Sequence, residues 1–147
     1  MKIKTTRFGE INIKKDSIIS FPNGILGFPD RKKYVVLDHD SDDTPFKWLQ
    51  CVDDPNLAFI IMDPSILIEE YRVEIDTEIM KELSEVKDED IFLLAIVKIP
   101  HNSPMDMTAN LKAPIVVNYQ KKEAYQVVLM NDNYSLSHPI FKQEVLV

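Results

Sequence analysis

The sequence has little that would suit a membrane or secreted protein. Its longest unbroken apolar runs, Leu57 to Met62 and Ile91 to Val97, are six and seven residues long, whereas a membrane-spanning helix needs about 20. The first four residues, MKIK, lack the apolar core of a secretory signal. The single cysteine, Cys51, cannot form an intramolecular disulfide, which suits a reducing compartment. We therefore expect a cytoplasmic protein that does not contact a membrane.

Glycine and histidine are also scarce. Three glycines cannot supply a dinucleotide fingerprint or a P-loop. Gly24 and Gly27 have the spacing of a KH-type RNA clamp, but the two residues between them are apolar. The three histidines, His39, His101 and His138, have no Cys or His neighbour at metal-ligand spacing. We expect no metal, no cofactor and no direct contact with nucleic acid.

Basic and acidic residues are unevenly distributed. Residues 1–37 carry eight basic and three acidic side chains, residues 38–103 carry five and seventeen, and residues 104–147 carry four of each. The acidic middle segment, residues 38–103, therefore has a net charge of −12 within a chain of net charge −7. Such a segment repels phosphate backbones. It would suit a basic protein partner, although solubility alone also accounts for it.

The composition predicts a mainly β protein. Seventeen Ile and twelve Val outnumber twelve Leu and five Ala, and β-branched residues favour strands. Alternating and short apolar runs predict strands near residues 3, 11–13, 17–21, 34–37, 46–52, 57–62, 71–75, 91–99, 114–118 and 123–130. One short helix is predicted over 76–86, where Ile79, Met80, Leu83 and Val86 follow a capping Asp76 or Thr77. We expect a small antiparallel β-barrel-like domain that spans residues 1–147.

Catalytic patterns are weak. The sequence contains no G-x-S-x-G nucleophile elbow. Cys51 precedes Asp53 and Asp54, and acidic neighbours raise the pKa of a thiol and make it a poor nucleophile. The two aspartates lie in a turn pattern, where Asp commonly caps backbone amides. We expect that the protein is not an enzyme, and a hydrolase that uses Asp53 and Asp54 stays an alternative.

Two apolar stretches are candidate partner surfaces. The first is the glycine-bounded loop with Ile25, Leu26 and Phe28, which either packs inward or forms an exposed patch. The second is the methionine-containing stretch 105–111, because methionines make adaptable surfaces as well as fill gaps in cores. The sequence alone leaves both alternatives open.

Four phrases occur in series: TRFGEI at 6–11, FPNGILGF at 21–28, FKWLQCVDDPNLAF at 46–59 and TANLKAPIVVN at 108–118. Together they resemble the FliW family of bacterial flagellar assembly factors. The resemblance runs from residue 6 to at least residue 130. It implies a compact β-barrel-like cytoplasmic protein that is not an enzyme and that binds newly made flagellin, near the flagellin C-terminal region, before export.

The resemblance also implies a second partner, the small RNA-binding translational repressor CsrA. A free family member binds CsrA away from its RNA site and relieves repression of flagellin synthesis. An acidic protein bound to CsrA would repel RNA phosphates without touching the RNA surface. The alternative is a protein-interaction β domain unrelated to flagella.

The resemblance does not assign contact residues to either partner. We predict contacts in the phrases that have no obvious core role, and we call these residues the interaction candidates. They are Phe46, Trp48, Asp53, Asp54, Asn56, Met107, Asn110 and Leu111.

Overall fold

The computed structural model describes residues 1–38, 44–73, 81, 88–130 and 132–141. Its strands are β1 Lys2–Thr5, β2 Gly9–Asn12, β3 Ile19–Ser20, β4 Lys33–Asp38, β5 Lys47–Cys51, β6 Ala58–Met62, β7 Ile91–Lys98, β8 Thr108–Ala109, β9 Ile115–Asn118, β10 Glu123–Gln126 and β11 His138–Pro139. Short 3-10 turns lie at Lys15–Ser17, Pro64–Ile66, Asp88–Asp90, Pro100–Asn102 and Pro104–Asp106.

Seven of the strands form a closed barrel. Their order is β7-β6-β5-β4-β3-β10-β9, and pairing of β9 with the first half of β7 closes the ring. The pairs are antiparallel except for the short parallel contact between β3 and β10. The second half of β7 instead pairs with β8, which pairs with β11. The prediction of a mainly β, barrel-like protein is confirmed.

The barrel interior is filled by side chains that alternate along the strands. In β5, Leu49 and Cys51 point inward and are fully buried, so Trp48 and Gln50 must point outward. Strand residues and the loop residues Phe21 and Ile25 complete this inner cluster, whose further members are Ile19, Phe21, Ile25, Tyr34, Ile61, Ile115, Val117 and Ala124. Burial raises the pKa of the Cys51 thiol, so this cysteine is an inert part of the core.

Two layers cover parts of the outer barrel surface. The hairpin β1–β2 packs Ile3 and Ile13 against Val35 of β4. The second layer lies over β6 and β7, where segments 67–71, 107–111 and 134–140 contribute to another apolar cluster. Between these two layers lies the outer face of β5.

The sequence predicted most of the long strands but not every element. The predicted helix over 76–86 has Ile79, Met80, Leu83 and Val86 outside the described residues. Of the predicted strand 71–75, residues 71–73 are not in a strand and residues 74–75 lie outside the described ranges. Strands β8 and β11 were not predicted because each has two residues and, unlike β3, lies in no apolar or alternating run.

Candidate protein-interaction surface

The turn after β5 is held by its own side chains. The Asn56 N–H donates to Asp54 Oδ1 at 3.1 Å, and the Leu57 N–H donates to the Asp54 carbonyl at 3.1 Å. Arg31 Nε lies 3.4 Å from Asp54 Oδ2, while Asp53 is exposed. Because Asp54 is occupied by the turn and by Arg31, the geometry gives no support to a hydrolase built on Asp53 and Asp54.

Gln50 anchors this turn from below, and the sequence reasoning missed it. The side chain is fully buried. Its Nε2 lies within 3.1–3.4 Å of four backbone carbonyls, those of Cys51, Asp54, Pro55 and Leu57. The opposite amide orientation would set Oε1 against the same carbonyl oxygens, so the orientation follows from the network. A glutamine inside the apolar run 48–52 was the available sign of this role.

The tip of the β1–β2 hairpin packs against the turn and against Trp48. The Thr6 N–H donates to the Pro55 carbonyl at 2.9 Å, and the Thr6 hydroxyl donates to Asn56 Oδ1. The Arg7 guanidinium lies 3.9 Å above the Trp48 ring. Phe8 meets the same ring edge-on, with centroids 6.1 Å apart. Two of the interaction candidates, Trp48 and Asn56, are therefore in direct contact with a hairpin that lies 40 to 50 residues away in the sequence.

A cleft opens between the hairpin tip and the turn. It has a volume of about 330 Å³ and is lined by Thr6, Arg7, Gln50, Pro55, Asn56 and Ala58. We call it the hairpin cleft. Thr6, Arg7 and Ala58 were not among the interaction candidates, because nothing local in the sequence brings residues 6–7 to residues 55–58.

Other interaction candidates lie on the adjoining apolar cluster. Trp48 is in register with Ile60 of β6. Ile60, Phe46 and Met107 are partly buried and pack against the same buried group, which includes Val97 and Leu111. Half-exposed apolar side chains thus continue from Trp48 across the outer face of the barrel.

Two interaction candidates in the stretch 105–111 have mainly structural contacts. Leu111 is fully buried, and its carbonyl accepts a hydrogen bond from the Tyr71 hydroxyl. This burial favours the core alternative for Leu111. Asn110 is half-buried, and its Oδ1 accepts from the N–H groups of Lys112 and Ala113 at 3.2 and 2.9 Å. Met105, by contrast, is exposed.

The apolar loop after Gly24 combines both of its predicted roles. Ile25 is buried in the barrel core, whereas Leu26 is 61% exposed. Phe28 is partly exposed and packs edge-on against Phe59, with ring centroids 5.6 Å apart. The loop therefore anchors itself through Ile25 and presents Leu26 outward.

The described residues contain neither a cluster of metal-ligand side chains nor a membrane-spanning helix. Across residues 1–38, 44–73, 81, 88–130 and 132–141, no three His, Cys, Asp or Glu side chains converge on a possible metal site. No helix in those ranges has the length and apolar character needed to cross a bilayer.

Comparison with known proteins identifies the family. The profile described as FliW protein matches residues 2–140. The flagellar assembly factor FliW of Syntrophus aciditrophicus is 44% identical over 142 residues, covering 97% of this chain and 89% of that protein. The FliW of Ruminiclostridium cellulolyticum is 40% identical over 149 residues, covering 99% and 100% of the two chains.

The fold agrees with this match. A crystal structure of the flagellar assembly factor FliW superimposes with a TM-score of 0.87 at 35% identity, covering 99% of this chain and 100% of that chain. The resemblance seen in the four sequence phrases is confirmed over almost the whole length. The chain therefore belongs to the FliW family.

Proposed function

We propose that this protein binds newly made flagellin in the cytoplasm, near the flagellin C-terminal region, and releases it for export. When free of flagellin it binds CsrA away from the RNA site and relieves repression of flagellin synthesis. It thus acts as a partner-switching sensor and not as an enzyme. The observation that carries this proposal is the family match over residues 2–140, with relatives described as flagellar assembly factors.

The outer face of β5 and its surroundings suit a protein partner. Trp48, Phe46 and Met107 offer half-exposed apolar area, the kind of surface that recognises an amphipathic helix through anchors three and four residues apart. Asp53 and Asn56, exposed in the adjacent turn, add polar contacts at the rim. An apolar centre with a polar rim is the usual anatomy of a protein interface.

A pull-down from motile cells tests the proposal. The tagged protein should retain flagellin from cells that accumulate it in the cytoplasm, and CsrA from cells whose flagellin has been exported or deleted. Purified flagellin should displace CsrA from the beads. Retention of neither protein would contradict the proposal and favour an interaction domain unrelated to flagella.

A further inference from the structure

We propose that the hairpin cleft binds a carboxylate side chain of the protein partner, with the Arg7 guanidinium as its cation. The proposal rests on the proposed function and adds to it a specific recognition site. Nothing in the family assignment places a charged contact at this position. Four observations lead to it: a fixed guanidinium, a charge without a counterion, neighbouring donors and a cavity of suitable size.

The Arg7 guanidinium is held in place before any ligand arrives. Its position 3.9 Å above the Trp48 ring is that of a cation–π contact. Phe8 also contacts the Trp48 ring, in a T-shaped arrangement, and the Thr6 N–H bond to Pro55 fixes the hairpin tip. An arginine stacked on an aromatic face keeps its N–H edge free for a planar, bidentate acceptor. Such preorganisation reduces the entropy lost on binding.

The Arg7 charge has no counterion within the described ranges. Four other cationic side chains in those ranges do have acidic partners, in the pairs Lys2–Glu10, Arg31–Asp54, Lys47–Asp38 and Lys112–Asp132. Asp54, the half-buried acid of the neighbouring turn, is engaged by Arg31 and by the Asn56 N–H. The hairpin cleft therefore contains a positive charge that an external anion can neutralise.

The other walls of the cleft suit a carboxylate on a short aliphatic stem. Asn56 accepts the Thr6 hydroxyl proton through Oδ1, which leaves its amide N–H₂ as a donor. Pro55 and Ala58 supply apolar walls for methylene groups. A volume of about 330 Å³ accommodates one side chain but not a large cofactor. Glutamate and aspartate side chains match this combination of charge, donors and size.

Fluorescence offers a direct readout, because Trp48 is the single tryptophan of the chain and lies beneath Arg7. The probe is the tripeptide acetyl-Ala-Glu-Ala-amide, titrated into the full-length protein, with acetyl-Ala-Gln-Ala-amide as the uncharged counterpart. We expect a saturable change in Trp48 emission with the glutamate peptide and at least about tenfold weaker binding of the glutamine peptide, as expected for loss of one charge-assisted contact. Equal binding of the two peptides would overturn the proposal.

Two substitutions of Arg7 and a control substitution test whether binding depends on the Arg7 guanidinium itself or on any positive charge nearby. Arg7→Gln should weaken binding of the glutamate peptide by about tenfold, and Arg7→Lys should recover only part of it because the planar fork is lost. Lys4→Gln removes the same charge from an exposed position on β1 and should leave binding unchanged. If Arg7→Gln binds the peptide like the wild type, or if Lys4→Gln weakens it equally, the cleft is not the site.

A flagellin arm separates failure of this inference from failure of the proposed function. Wild-type protein that binds flagellin while Arg7→Gln binds it equally well would refute the cleft as a partner contact and leave the proposed function intact. Wild-type protein that does not bind flagellin would refute the proposed function. We expect Arg7→Gln to bind flagellin more weakly than both the wild type and Lys4→Gln.

Discussion

Gly24 illustrates how one residue fixes the loop that closes the barrel core. Its φ is +67°, and an added Cβ would lie 2.6 Å from the Phe28 carbonyl oxygen and 2.7 Å from Pro29 Cα. Both neighbours are backbone atoms, so neither can move aside as a flexible side chain would. Gly27 has a φ of +89° but open space where a Cβ would be. A side chain would therefore cause backbone strain at both positions but steric overlap only at Gly24.

We expect Gly24→Ala to destabilise the protein more than Gly27→Ala. Strain at positive φ should cost about 1–3 kcal/mol in either variant, and the overlap adds to it only at Gly24. Urea denaturation followed by circular dichroism measures the difference. Equal stability of the two variants would show that the loop shifts readily to accommodate a side chain.

Gln50 is a second residue with a structural role, because its amide supports the turn after β5. Gln50→Leu keeps the size of the side chain but removes the amide N–H₂ group, whose two protons are shared among four nearby carbonyls of residues 51–57. We expect the free energy of unfolding to fall by about 2 kcal/mol. Gln120→Ala, at an exposed turn position, should change it by less than about 0.5 kcal/mol. A Gln50→Leu variant as stable as the wild type would show that the turn does not need the Gln50 amide for its stability.

Among the secondary-structure elements, the long strands could be predicted from the sequence, but the segments that cover the outer barrel surface could not. Ile91 to Lys98 forms β7 because a run of apolar and β-branched residues has few alternatives. The contacts of Trp48 with Arg7 and Phe8 depend on where the hairpin β1–β2 packs against β5. Local sequence patterns do not show this packing position. The burial of Leu111 could not be predicted because a mixed stretch such as MDMTANL has no period that shows which side chains point inward.

Met107 offers a test of the apolar surface between elements. It is partly buried on the cluster under β8, whereas Met105 in the preceding 3-10 turn is 68% exposed. We expect Met107→Asp to weaken co-purification with flagellin and Met105→Asp to leave it nearly unchanged. Thermal unfolding of both variants is the control: if Met107→Asp lowers the melting temperature so far that the protein is unfolded at the assay temperature, Met107 serves the core and the contact lies elsewhere.

For the molecule as a whole, the uneven distribution of charge along the sequence should influence the rate of association with a charged partner. The acidic middle segment, residues 38–103, carries a net charge of −12, and charge of one sign steers association more than it sets affinity. Binding to CsrA should therefore weaken as ionic strength rises, because the screening length falls from about 10 Å at 0.1 M salt to about 3 Å at 1 M.

Charge reversal at Asp53 tests this steering. Asp53 is exposed in the turn after β5, whereas Asp54 holds the turn and is left intact. We expect Asp53→Lys to slow association with CsrA at low salt and to lessen its salt dependence. Asp106→Lys makes the same change at an exposed position outside the acidic middle segment and should have a smaller effect. Stopped-flow association rates across a salt series that show no dependence for any variant would mean that the acidity serves solubility alone.

We propose that one protein exchanges flagellin for CsrA, and a reconstituted RNA-binding assay measures this exchange. Purified protein is added to CsrA bound to fluorescent flagellin mRNA leader, first alone and then with excess flagellin. Such an exchange predicts that the protein alone releases the RNA, that flagellin restores the CsrA–RNA complex, and that CsrA and the protein form a complex free of RNA. An RNA complex that is unaffected by the protein, or released equally in the presence of flagellin, would contradict it.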